Sequence, residues 1–226
     1  MLFVFLNMYS QEETPKDSIL YKQKYGLRLG VDLSKPIRAG FDEDYKGLEL
    51  VGDYRITKRF FVAGEIGREE KTTDEDLFNF TTKGTYIKAG FDYNAYENWY
   101  GMQNSIHIGL RYAISSFSQT LNSFNINNRD HFFNEGDLIG DNPDLLREFD
   151  GLNAQWIEAV FGIKAELFNN LYLGASIRLN YLVNDKAPEF FPNLWIPGFN
   201  KKNDSSRFGI GYNYTLTYFI PLYKKK

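Results

Sequence analysis

Two histidines and no cysteine occur in this 226-residue chain, so nucleophilic, acid–base or metal chemistry has few places to sit. His107 is flanked at even spacing by Ser105 and Ser115, which in an extended segment puts all three on one face. Such a histidine could be the general base of a lipid-modifying reaction, but no fixed spacing marks a nucleophile with its base. A hydrogen-bonded histidine in a packed interior is the better reading. His131, beside Arg129 and Asp130, reads as an exposed loop residue. Glu135, Asp137, Asp141, Asp144 and Glu148 could attract calcium, yet they lack the alternate acids and central glycine of an EF-hand loop. With no nucleotide fingerprint or metal-ligand cluster either, the sequence offers no catalytic, cofactor-binding or metal constellation. The expectation is a protein that is not an enzyme and needs no cofactor.

The elements that would carry these residues are strands. The stretch RFGIGYNYTLTYFIPL (207–222) puts Phe208, Ile210, Tyr212, Tyr214, Leu216, Tyr218, Ile220 and Leu222 on one face. Gly209, Gly211, Asn213, Thr215 and Thr217 fall on the other. A period of two over this length exceeds the usual strand and suits an oblique crossing of a bilayer. The same alternation recurs at 25–33, 48–56, 60–68, 85–94, 105–117, 155–168 and 171–183. About eight strands result. Connections after the second, fourth and sixth are short, including Asn169-Asn170, and those after the first, third, fifth and seventh are long. A short helix could open at Asn142–Arg147, with Pro143 in its first turn.

The predicted fold is all-β: a transmembrane antiparallel up-and-down β-barrel of about eight strands, with short periplasmic turns and long extracellular loops. Both termini then fall on the periplasmic side of a Gram-negative outer membrane, and 207–222 closes the barrel against 25–33. Residues 1–10 read as the end of a signal peptide, 11–24 as a periplasmic linker, 25–223 as the barrel and 224–226 as a basic tail. Net charge of −3 with interspersed signs gives no nucleic-acid footprint. A mean hydropathy of −0.43 rules out a membrane helix but not a barrel, whose alternation averages hydropathy away.

A soluble barrel would alternate too, with its polar face in water. The polar face here carries many glycines, which weaken a solvated strand but help fill a narrow lumen. It also carries charges of both signs: Arg28, Arg55, Lys88, Arg111, Lys164 and Arg178 against Asp32, Glu49, Asp53, Glu65, Asp92, Glu158 and Glu166, with His107 among them. Such a balance suits a closed, ion-paired interior. Tyrosines and tryptophans near strand ends, among them Tyr25, Tyr54, Tyr93, Trp99, Tyr100, Trp156 and Tyr181, suit aromatic girdles. In the last long loop Phe190, Phe191, Trp195 and Phe199 could either pack over the barrel mouth or face a partner.

The stretches TYIKAGFDYNAYENWYGM (85–102), GLRYAISSFSQTLN (109–122), GLNAQWIEAVFGIKAELFNNLYLG (151–174) and IPGFNKKNDSSRFGIGYNYTLTYFIPL (196–222) resemble an uncharacterised family of predicted outer-membrane barrels from the Bacteroidota, a domain of unknown function. The resemblance implies outer-membrane location and transfers no activity. The function expected is a non-enzymatic outer-membrane barrel, structural or an accessory subunit that presents its loops to a partner complex. A lipid-modifying barrel enzyme is the alternative, and a narrow channel a weaker one. The expected partners are outer-membrane lipid and other envelope proteins, with no nucleic acid and no small-molecule substrate.

Overall fold

The computed structural model describes residues 23–75, 78–97, 102–124, 147–188, 192–203 and 205–225. Eight long strands form one closed ring. In chain order they are β1 (Gln23–Asp32), β2 (Tyr45–Arg55), β3 (Phe60–Asp74), β4 (Phe78–Asn94), β5 (Ser105–Phe124), β6 (Glu148–Phe168), β7 (Leu171–Asp185) and β10 (Phe208–Lys225). Each pairs antiparallel with its neighbour in sequence, and β10 closes the ring against β1. A helix, α1 (Ser34–Phe41), lies between β1 and β2. A small hairpin of β8 (Trp195–Ile196) and β9 (Asn200–Lys201) precedes β10.

Alternation decides the faces. Along β3, Phe61, Ala63, Glu65 and Glu69 are buried, while Phe60, Val62 and Ile66 are exposed. Along β10, Asn213, Thr215, Thr217 and Phe219 are buried, while Ile210, Tyr212, Tyr214, Tyr218 and Ile220 are exposed. The barrel is inside out: charge within, aliphatic and aromatic side chains without. That distribution is stable only where the exterior solvent is hydrocarbon. Among the described residues no helix is long and apolar enough to cross a membrane.

Several boundaries differ from the sequence reading; β5 runs on to Phe124 and β6 starts at Glu148, for example. β3 and β4 continue to Asp74 and from Phe78, so the charged segment 69–84, expected as a loop, is mostly paired strand. Above the apolar band both faces of a strand can be polar, which erases the hydropathy alternation but not the hydrogen-bond ladder. Lys224 and Lys225, expected as a tail, pair with Lys24 and Gln23. The segment after β1, read as turns, contains α1. Pro36 sits in the first turn of that helix, where a missing N–H costs nothing. Residues 1–22, the loop 125–146 with the expected helix at Asn142–Arg147, His131 and most of the loop acids, and Trp99, Tyr100, Phe190 and Phe191 lie outside the described residues.

The girdles also need correction. Phe60 packs with Tyr93 at the short-turn end, and Tyr181 with Phe208 at the opposite end. Trp156 and Tyr25 are not girdle residues; both are buried inside, Trp156 completely. Trp156 donates from Nε1 to Glu158 Oε1 at 2.7 Å, a bond that a lipid-facing indole would not have.

Candidate functional site

Among the described residues polar side chains converge in the lumen, and each strand supplies them at every second residue. In the lower half Asp53 of β2 joins two cations: Arg28 Nε of the adjacent β1 at 2.7 Å and Lys164 Nζ of the more distant β6 at 2.6 Å. In the middle, Arg178 of β7 holds Glu65 of β3 with two nitrogens, at 2.6 and 2.9 Å, and Glu158 of β6 at 2.8 Å. Lys88 of β4 lies 3.0 Å from Glu158 and 3.7 and 3.8 Å from Glu49 and Glu65. Arg111 of β5 reaches Asp92 at 2.7 Å and Glu65 at 3.5 Å. The arrangement spans the ring from wall to wall, and all of these residues but Lys164 are at most a few per cent exposed.

Balance makes such burial affordable. Desolvating an ion costs several kcal/mol, recovered only when partners and hydrogen bonds are complete. Arg28, Lys35, Arg55, Lys88, Arg111, Lys164 and Arg178 face Asp32, Glu49, Asp53, Glu65, Glu69, Asp92 and Glu158 across the interior. Arg55 does not join the ion-pair cluster. It closes the short-turn end, donating to the carbonyls of Thr57 and Lys58 and to Gln23 Oε1. Glu166 also lies at that end, half-buried, accepting from the backbone N–H of Asn170. Asp32 accepts from the N–H groups of Ser34 and Tyr214 and from Asn213 Nδ2, fastening β1, α1 and β10 together.

His107 is buried among these groups. Its Nδ1 lies 3.5 Å from Ser105 Oγ, and the adjoining cavity is about 30 Å³, room for a water or two. Ser115 is eight residues further along β5, roughly 27 Å at the rise of a strand, and donates to the Thr85 carbonyl. The histidine and this second serine are not brought together. Among the described residues no group of three or more His, Asp or Glu is placed to hold a metal.

Lys35, Glu69, Tyr45 and Tyr86 escaped the sequence reading. Glu69 of β3 accepts from Lys35 at 2.5 Å, from the Tyr45 hydroxyl at 3.0 Å and from the Gly198 N–H at 3.0 Å. It ties α1, β2 and the β8–β9 hairpin to one carboxylate. Continued alternation past Arg68 was the signal that could have found Glu69; Lys35 lies in a helix and had none.

The hairpin plugs the mouth. Trp195 packs with Tyr45, Phe80 and Leu121, while Ile196 and Phe199 join Trp156, Leu182 and Tyr86. Phe199 meets the Trp156 ring edge-on at 5.8 Å. Gly198 has a φ of +83° and lies where a Cβ would strike the Tyr86 ring, so glycine is needed there. Trp195 and Phe199 are thus mouth packing and not a partner-facing surface. Their aromatic composition fits either role; only the path of the hairpin into the barrel decides.

A closed eight-stranded ring with an apolar exterior and a side-chain-filled, ion-paired interior defines a small membrane β-barrel. The chain belongs to the family described as a domain of unknown function (DUF6048), whose model matches residues 1–225. Among solved structures the chain is similar to the crystal structure of Ail, the attachment invasion locus protein of Yersinia pestis. That match has 12% identity and a TM-score of 0.42, covering 88% of this chain and 98% of that one. No curated protein matches the sequence significantly. The architecture stated above rests on the chain's own strand ladder.

Proposed function

We propose that the protein is a non-conducting, non-enzymatic barrel of a bacterial outer membrane, with both termini periplasmic, acting as a structural or accessory subunit of the envelope. The observation that carries this reading is the wall-to-wall cluster of Lys88, Arg111 and Arg178 with Glu49, Glu65, Asp92 and Glu158. Ion pairs from facing walls cross the middle of the barrel, and a side-chain-filled interior is the norm at eight strands. The pairing of Gln23 with Lys225 at the short-turn end supports a shared side for the termini.

The alternative, a lipid-modifying enzyme, is disfavoured at His107, where the adjoining cavity is about 30 Å³. The subunit role is tested by extraction from native membranes in mild detergent followed by identification of co-purifying envelope proteins. A reproducible stoichiometric partner supports it. A barrel that always purifies alone removes the subunit role and leaves the structural one. Planar-bilayer recording of the purified protein should show no unitary current, and steady ohmic steps would overturn the sealed lumen.

A further inference from the structure

The wall has one defect. β1 stops at Asp32, opposite Thr215, whereas β10 begins at Phe208 and β2 at Tyr45. Over residues 208–213 the β1-facing edge of β10 has no strand beside it, and α1 occupies the gap.

The register identifies the exposed groups. Tyr214 turns its N–H to Asp32 and its carbonyl to the Leu33 N–H, so even residues of β10 address this edge. Odd residues address β7, as the Arg207 carbonyl does in accepting from the Leu182 N–H. The Phe208 N–H is satisfied by Ser206 Oγ. Ile210 and Tyr212 therefore present N–H and C=O groups with no strand to receive them. Helix α1 directs its backbone groups along its own axis and offers no strand edge to Ile210 and Tyr212.

The gap lies on the outward wall near its long-loop end, beside the Tyr181–Phe208 pair. Like the strands, α1 is inverted: Ser34 and Lys35 are buried, whereas Ile37 and Phe41 are exposed, Phe41 at 90%. A groove of about 790 Å³ opens there, walled by Leu179, Phe208, Ile210 and Tyr212 on one side and by Lys35, Arg38 and Lys201 on the other. No carboxylate is among its described lining residues. Lys35 is committed to Glu69 and Lys201 to exposed Glu75. Arg38 stacks over Tyr45 and Trp195 and touches Asp42 only at 3.5 Å, long for a charge-assisted hydrogen bond. Most of its donor capacity is unspent.

We infer that this groove binds the phosphorylated headgroup of an outer-leaflet glycolipid, with its acyl chains along Leu179, Ile210 and Tyr212. The inference rests on the outer-membrane reading above. Backbone groups cannot stay unpaired against lipid hydrocarbon. An edge offering donors and acceptors needs a ligand with both, as saccharide hydroxyls are, and the cations select phosphate. A free anion would leave the apolar wall unused.

The test uses the full chain in neutral maltoside micelles and native mass spectrometry, with diphosphoryl lipid A, its dephosphorylated form and phosphatidylethanolamine as probes. Diphosphoryl lipid A should be retained about tenfold more tightly than either other lipid. Arg38→Gln with Lys201→Gln should erase that preference. Ile210→Pro, which removes an edge N–H without breaking a bond to β7, should weaken binding of both saccharide lipids, and Lys46→Gln should change nothing. Equal retention of the three lipids, or an unchanged double variant, overturns the proposal. Heat-dependent gel migration, measured first on every variant, tells failure to close from failure to bind, and its absence in the wild type would remove the membrane-barrel reading itself.

Discussion

The middle of the barrel and the notch beside α1 solve the same problem in opposite ways. In the middle every strand has two neighbours, and every ion has an opposite charge from another strand; Glu65 alone touches Arg178, Lys88 and Arg111. At the notch a strand ends early, a helix substitutes for it, and backbone groups of Ile210 and Tyr212 face a groove. Sealing and access thus occupy different heights of one small ring. A barrel whose lumen is filled by side chains has its wall and its mouth left as surfaces open to other molecules.

Removing a central ion tests the sealed region hardest. Glu65→Ala strands Arg178 in a dry interior and should cost roughly 3–5 kcal/mol, read as a lower urea midpoint for loss of the compact gel form. An unchanged midpoint would mean that water solvates the cluster. Trp195→Ala removes the plug's anchor against Tyr45, Phe80 and Leu121 and should cost about 3 kcal/mol. It should still pass no current, since the central cluster lies below it. Current in this variant would show that the plug, and not the ion pairs, forms the seal.

Asp32 stands where sealed wall meets notch. Asp32→Ala leaves the Tyr214 and Ser34 N–H groups without their acceptor and should cost about 2 kcal/mol. Hydrogen exchange should rise at Tyr214 and in α1 but not in β5 or β6. The smallest effect belongs to Asp42, at the far end of α1. Partial burial opposes ionisation of its carboxyl, but Lys71 at 2.9 Å and Arg38 outweigh this and lower its pKa below 3.8. A lowered folded pKa means the contribution is present above the unfolded value and is lost as pH falls through the folded one. Asp42→Asn should therefore loosen α1 by less than about 1 kcal/mol near neutrality. Limited proteolysis should detect it there and find no difference from wild type in strong acid.

Much of this was legible beforehand. Period-two alternation assigned Glu49, Asp53, Glu65, Lys88, Arg111, Glu158 and Arg178 to the inner face before any contact was known, because facing is a local property of an extended chain. Who pairs with whom was not legible: Asp53 and Lys164 are 111 residues apart, and any inward cation could have served. Aromatic residues were the least readable. Trp156, Trp195 and Phe199 are apolar whether they meet lipid, a partner or the lumen, and all three turned inward.

Sequence alone determined the class of strand, the face of most strand residues and the charge balance of the interior, since each follows from neighbours a few residues away. Tertiary structure decided where the wall stops. β1 is only ten residues long because the chain turns into α1 after Asp32, while β10 continues upward on its pairing with β7. A mismatch in length between two strands nearly two hundred residues apart is invisible until they are side by side, and it is what leaves the groove open.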